Sequence, residues 1–289
     1  MELNGLLVLD KPGGMTSRDA VNRIQRQLPR RTRIGHTGTL DPLATGVLVV
    51  CLGQATRLAE YVQAMRKTYR STFLLGATSD TDDVDGKITP APTAVPLPRP
   101  PVESSLSQFI GEIEQTPPNY SAAKIDGQRA YDLAREGAAV DLKPRSVTIY
   151  GIDVLSYDWP ILEIEIRCSK GTYIRSLARD LGHNLGCGAL VSVLRRTAVG
   201  PFAPDQAVPL DASLDVICQR LRPPADAVSE LERIVINDDD VRRLGYGQSI
   251  PFNAGSGVTA IFLESGEFIG IGEVVRGLLK PAKILSRIE

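Results

Sequence analysis

The segment Gly35-His36-Thr37-Gly38-Thr39-Leu40-Asp41-Pro42-Leu43-Ala44-Thr45-Gly46-Val47-Leu48 concentrates the residue types that do chemistry. It holds one imidazole, one carboxylate, several hydroxyls and three glycines. An ionised carboxylate serves as a nucleophile or base, and an imidazole as a proton carrier. Both groups also have ordinary structural uses. Asp41 before Pro-Leu-Ala has the pattern of a helix N-cap with proline at the first helical position. A lone histidine such as His36 is commonly a hydrogen-bonded structural residue. Local pattern alone leaves these alternatives open.

The elements that must position these groups are legible nearby. Val47-Leu48-Val49-Val50-Cys51-Leu52 is a short, continuous, β-branched run and predicts a buried strand directly after the segment. Leu6-Leu7-Val8-Leu9 predicts a first strand, stopped by Lys11-Pro12-Gly13-Gly14. Thr16 and Ser17 are placed to cap a helix whose Ala20, Val21, Ile24 and Leu28 share one face. A helix is expected from Ala55 to Met65, then a strand over Lys67–Leu75 with Tyr69, Ser71, Phe73 and Leu75 on one side. The plain structural use of Tyr69 is packing at that sheet's edge.

Further along, Thr78 to Gly86 is acidic but lacks the ligand spacing of a calcium loop, so a polar turn is expected. Pro90 to Pro101 reads as an extended connector and Val102 to Ile113 as a helix. A polar excursion of residues 115–145, with a short helix at Ala130–Arg135, offers few apolar anchors and has the character of a functional loop. Ile161 to Cys168 alternates strictly, predicting a half-buried strand. Thr172 is placed to cap a helix reaching Asn184, with Arg175 in its first turn. A cation there gains nothing from the helix dipole, which points to a carboxylate partner; a solvent-facing arginine is the alternative. From Leu231 onward, short apolar strands alternate with glycine and polar turns, the texture of a small β-barrel.

A chain of 289 residues with a formal charge of −1 and 43% hydrophobic residues has the composition of a globular protein with a substantial core. No apolar run approaches the roughly 20 residues of a membrane span. The first residues carry no basic leader, and Cys51, Cys168, Cys187 and Cys218 are scattered, so a cytoplasmic, reducing location is expected. The cysteines and the two histidines make no metal-binding or disulfide pattern, so a zinc site and a disulfide framework are both poorly supported. The near-neutral total hides asymmetry. Arg18, Arg23, Arg26, Arg30, Arg31 and Arg33 crowd the approach to the central segment, whereas acidic residues cluster at 80–85 and 238–240. Such a basic zone attracts phosphates, or is simply a solvated helix face.

Six segments, in order, carry a resemblance: Leu9-Asp10-Lys11-Pro12, Gly35 to Gly46, Lys67-Thr68-Tyr69, Pro117-Pro118-Asn119-Tyr120-Ser121-Ala122, Gly171-Thr172-Tyr173-Ile174-Arg175 and Leu194-Arg195-Arg196. The sequence resembles the TruB-type tRNA pseudouridine-55 synthases across residues 9–196. The resemblance implies an α+β fold with a mixed, largely antiparallel sheet flanked by helices. It implies a catalytic domain over 1–230, whose 115–145 loop closes on RNA, and a PUA-like β-barrel module over 231–289.

The implied reaction is isomerisation of a T-loop uridine of tRNA, with the bond from ribose C1′ to uracil N1 replaced by one to C5. By resemblance, Asp41 is the catalytic carboxylate, Tyr69 stacks on the target base and helps move its proton, and Arg175 pairs with Asp41. A neighbouring arginine would favour the charged carboxylate. His36, Tyr173 and Leu194 would line the substrate pocket. No metal or cofactor is implied, the partner is the tRNA T arm rather than a membrane, and a monomer is expected. Because the base must leave the RNA stack, at a cost of a few kcal/mol, stacking and apolar contacts in the pocket must offset that cost.

Three other readings use the same residues. A non-catalytic RNA-binding or RNA-folding protein would keep the basic zone without needing Asp41. A pseudouridine synthase could act on another RNA, including with a guide RNA, although no basic tails are present. A nucleotide-binding protein lacks support, since no Gly-Lys-Ser/Thr follows the glycine-rich segment.

Overall fold

The computed structural model describes residues 3–92, 94–121, 142–253 and 255–285, with backbone elements at 124–125 and 128–129. In chain order the elements are β1 (Gly5–Lys11), α1 (Ser17–Gln25), β2 (Ile34–His36), β3 (Thr45–Leu52), α2 (Ala59–Ala64), β4 (Lys67–Leu75), β5 (Ala77–Ser79), β6 (Ile88–Pro90), α3 (Arg99–Ser107) and β7 (Gly111–Gln115). There follow β8 (Lys124–Ile125), β9 (Gln128–Arg129), β10 (Arg145–Asp158), β11 (Ile161–Cys168), α4 (Ile174–Asn184), β12 (Ala189–Val199) and α5 (Leu214–Arg220). The last part comprises β13 (Glu232–Ile236), α6 (Asp238–Gly245), β14 (Ile250–Pro251), β15 (Gly257–Leu263), β16 (Phe268–Val275) and β17 (Leu278–Ile284).

An eight-stranded sheet organises the larger part, in the order β1-β3-β12-β4-β11-β10-β7 with β2 added to β3. All its ladders are antiparallel except β3–β12, a parallel contact of two residue pairs, Arg195 with Thr45 and Arg196 with Gly46. The expected mixed, largely antiparallel sheet is therefore present. One face packs Leu7, Leu9, Leu48, Phe73 and Ile164 against Ala20, Val21 and Ile24 of α1, Leu106 of α3 and Leu177 and Leu181 of α4. The other face packs Leu6, Val8, Val47 and Val49 on Leu58, Val62 and Phe202, and extends to Ala260 and Ile271 of the C-terminal unit.

The C-terminal unit is a curled five-stranded sheet, β13-β15-β16-β17-β14, consistent with a PUA-like module. The strand β17 and the pairing of β13 parallel to β15 were not foreseen from the sequence. Its junction to the larger part is polar as well as apolar. Arg57 Nη1 donates to the Ile284 carbonyl at 2.7 Å, and Lys283 Nζ reaches the Arg57 carbonyl at 2.7 Å and the Glu60 carboxylate.

Most expected elements stand where periodicity put them, and α1 carries a capping box between Thr16 and Asp19. Several differ. No helix follows Asp41: residues 41–44 make one turn, closed by Ala44 N–H to the Asp41 carbonyl at 3.1 Å, and pass into β3. The cap reading of Asp41 is thereby corrected, because the β-branched run claims the chain before a helix can start. The expected helix Ala55–Met65 is a 3₁₀ segment, Gly53–Leu58, followed by α2.

The helix placed at Val102–Ile113 begins earlier, at Arg99, because the prolines at 100 and 101 fit the first turn, where no amide donor is needed. It ends at Ser107, and Gly111, at φ +111°, starts strand β7. Thr172 does not cap α4; its hydroxyl donates to the Ser169 carbonyl at 3.1 Å, and Tyr173 is the N-cap residue. Strand β4, carrying Tyr69, lies in the sheet interior between β12 and β11 and not at an edge. The expected helix at Ala130–Arg135 lies outside the described residues.

Candidate active site

Asp41 sits in the loop between β2 and β3, and that loop is pinned from three sides. The side chain of Lys11, 0% exposed at the end of β1, donates to the carbonyls of Pro12 at 2.9 Å, Met15 at 2.8 Å and Pro42 at 3.4 Å. Burial lowers its pKa to about 8, and nearby Asp41 opposes that shift. Ser17 Oγ, at the start of α1, donates to the Leu40 carbonyl at 3.0 Å and accepts from the Leu40 amide at 2.8 Å. From β12, Arg196 donates through Nη2 to the Gly38 carbonyl at 3.1 Å and through Nε to the Val47 carbonyl at 2.7 Å. Satisfying its backbone groups this way gives an irregular loop the rigidity of the sheet beneath it.

Arg175, in the first turn of α4, meets Asp41 with Nη2 to Oδ2 at 2.8 Å. The arginine side chain is 5% exposed and the aspartate 36%, so the pair has one wall of protein and one open side. Arg175 is itself held by three further groups. Asp83 Oδ2 lies 3.4 Å from Nη1, the Thr81 carbonyl accepts from Nη1 at 2.9 Å, and the Tyr120 carbonyl accepts from Nη2 at 2.9 Å. Its first-turn position is maintained by Gln115, which accepts from the Tyr173 amide at 2.7 Å and donates to the Tyr173 carbonyl at 3.0 Å. Arg179, one turn on, anchors the same acidic turn through Asp82 at 3.0 Å. Burial raises the Asp82 pKa, with Arg179 opposing the shift.

The pair opens into a cleft of about 530 Å³, a volume suited to one nucleotide. Of the residues singled out in the sequence, the structure brings Asp41, Tyr69, Tyr173, Arg175 and Leu194 to its walls. Tyr69 is buried, which raises its phenol pKa, while Arg196 beside it acts in the other direction. Leu194, 6% exposed, supplies apolar surface from β12. His36 is not among the cleft's lining residues: it ends β2, opposite Val50, one residue before the lining residue Thr37.

Three contributors were missed. Asp83 belongs to the acidic turn read only as polar, and nothing in that run marks which carboxylate points inward. Arg196 and Lys67 both line the cleft and are almost fully buried, yet in the sequence they look like ordinary strand cations. For Lys67 the alternation with Tyr69, Ser71 and Phe73 was an available signal that it faces inward.

None of the six arginines of the basic zone lines this cleft. Arg30, Arg31 and Arg33 join Arg57 around a separate groove of about 580 Å³. Among the described residues no group of three or more His, Cys, Asp or Glu side chains is placed to hold a metal ion. No described helix is long and apolar enough to cross a membrane.

With this geometry in hand, the comparisons with known proteins are specific. The sequence pattern of the TruB family pseudouridylate synthase N-terminal domain matches residues 26–174. Patterns described as the tRNA pseudouridylate synthase B C-terminal domain and the pseudouridine synthase II TruB C-terminal domain match residues 175–236 and 233–285. The tRNA pseudouridine synthase B of Acaryochloris marina is 41% identical over 288 residues, covering 97% of this chain and 98% of the relative. That of Pseudomonas aeruginosa is 40% identical, covering 98% of this chain and 96% of the relative. Among solved structures, a chain of a Cbf5-Nop10-Gar1 complex superposes with TM-score 0.73 at 27% identity, covering 94% of this chain and 78% of that chain. The chain belongs to the TruB family of pseudouridylate synthases.

Proposed function

We propose that this protein converts a uridine of tRNA, position 55 in the T loop, to pseudouridine. The observation that carries this reading is the Arg175–Asp41 pair at 2.8 Å in the wall of a nucleotide-sized cleft, in a chain of this family. In the proposed reaction the uridine leaves the RNA stack and enters between Tyr69 and Leu194, which offset the lost stacking by aromatic and apolar contact. Asp41 acts on the nucleoside as the C1′–N1 bond breaks, and Arg175 fixes the direction of its reactive oxygen. Tyr173 closes the cleft beside Arg175, and His36 meets the RNA outside the cleft, one residue from Thr37.

Residues 1–230 are proposed as the catalytic domain and 231–289 as an RNA-binding unit. The shared apolar junction at Ala260 and Ile271 supports their acting as one body. The protein is proposed to act as a monomer in the cytoplasm. The experiment is incubation of the protein with an unmodified tRNA transcript, followed by chemical mapping of pseudouridine. A single modified site in the T loop is expected. Modification at another position, or none, refutes the assignment.

A further inference from the structure

Among the described residues, two buried cations of the cleft have no carboxylate partner. Arg175 faces Asp41 and Asp83, and Lys11 is spent on holding the loop. Arg196 and Lys67, 3% and 7% exposed, also line the cleft. Among the described residues no carboxylate oxygen lies within 4.0 Å of either side chain. Arg196 uses Nε and Nη2 on the carbonyls of Val47 and Gly38, and its guanidinium lies against the Tyr69 hydroxyl. Lys67, whose strand pairs with that of Arg196, donates to the carbonyls of Gln63 and Met65. Buried charges in proteins are ordinarily paired. Two without a carboxylate partner at the wall of a reaction cleft are placed to meet negative charge on a bound substrate.

We propose that Arg196, assisted by Lys67, stabilises the negative charge that develops on the target uracil. This rests on the pseudouridine-forming reading above. When the C1′–N1 bond breaks, its electron pair stays with the base, giving a uracil anion beside an electron-poor C1′ next to Asp41. Attack of C5 on C1′ returns that pair to a new C–C bond; the C5 proton is then lost and N1 gains one, so the product is an isomer. Arg196 exchanges no proton in this sequence. Fixed by two carbonyls, it presents positive charge without reorganising, which is where a preorganised charge is most effective. A phosphate carries its charge in water before binding and is met at an exposed surface, whereas Arg196 is 3% exposed beside Tyr69.

The test uses the full chain with Arg196→Met, Arg196→Lys and Lys67→Met. Each is assayed on tRNA transcripts carrying uridine or 5-fluorouridine at the target. The readouts are melting temperature, RNA affinity and the single-turnover rate of C1′–N1 cleavage at saturating protein. Arg196→Met is expected to slow cleavage of uridine by about 100-fold, with affinity within about threefold of the parent. On 5-fluorouridine the loss shrinks to about tenfold, because fluorine itself stabilises the anion, and Arg196→Lys regains part of the rate.

Lys67→Met shows the same dependence on the base at smaller size, which keeps the test intact if Arg196→Met fails to fold. Equal losses on both bases mean that these residues only position the loop, and overturn the proposal. A loss confined to affinity, with a shallower salt dependence, identifies a phosphate contact and also overturns it. If the parent protein leaves tRNA uridine unchanged, the functional reading falls and this one with it; conversion by the parent with base-independent losses refutes this one alone.

Discussion

Substituting Asp83 by Asn tests whether the Arg175 anchor matters as much as its position indicates. The Asp83 side chain is 6% exposed and Arg175 5%, with 3.4 Å between Oδ2 and Nη1. At an effective dielectric of about 20 the bare attraction at such a separation is roughly 5 kcal/mol, most of it cancelled by desolvation. Removing one partner of a buried pair costs about 3–5 kcal/mol when the other charge is stranded. Here Arg175 keeps Asp41 and two carbonyls, so about 2–3 kcal/mol of stability is expected to go.

The Asn can still accept from the Thr81 hydroxyl and the Asp85 amide, which Asp83 Oδ1 now does at 2.5 and 3.1 Å, so the turn itself should persist. Chemical denaturation and single-turnover kinetics on tRNA are the assays. Alongside the stability loss, the rate at saturation should fall by about 10- to 100-fold as the Asp41 oxygen loses its fixed direction. Stability within about 0.5 kcal/mol of the parent together with an unchanged rate would refute the two-carboxylate anchor.

Three other outcomes follow from the same geometry. Gly46→Ala should cost about 3 kcal/mol or more and most of the activity, since its Cβ would stand 2.1 Å from the Arg196 carbonyl at φ +101°, prising apart the β3–β12 contact; wild-type melting and rate would contradict this. Lys67, with a folded pKa near 8 against 10.5 unfolded, binds fewer protons folded than unfolded between those values, so its contribution to stability should rise from pH 8 to 10.5. The difference in unfolding free energy between parent and Lys67→Met should therefore shift in the parent's favour over that window, and a flat difference would contradict it. RNA affinity should fall by about tenfold or more between low and moderate salt, as several phosphate contacts require, and titration at two ionic strengths measures it.

Much of the framework was legible because period-two and helical patterns survive wherever one face is buried. Strand β11 coincides with the alternating run Ile161–Cys168, and α1 is capped by Thr16, whereas Ser17, also read as a cap, turns its hydroxyl to Leu40. Where neighbours override local preference, legibility ended. The aspartate–proline cue at 41 resembled a helix start, but the next residues pair in a sheet. Strand β10, fourteen residues long, was hidden because bulges break its register against β11 and many of its side chains face solvent. Motifs in order along the chain pointed to Asp41, Tyr69 and Arg175, which the structure brings to one cleft. Asp83 and Arg196 were not assigned, because inward direction in a turn and a missing counter-charge are properties of three dimensions.

The most direct measurement compares the parent with Asp41→Asn, which keeps the side chain's size and removes its charge. Single-turnover conversion of a tRNA transcript should fall below detection, at least about 10⁴-fold, while RNA affinity stays near the parent's and the protein stays folded, with a modest loss of melting temperature because Arg175 keeps Asp83. Conversion at close to the parent rate by that variant, folded and bound to RNA, would contradict the assignment of the chemistry to this carboxylate.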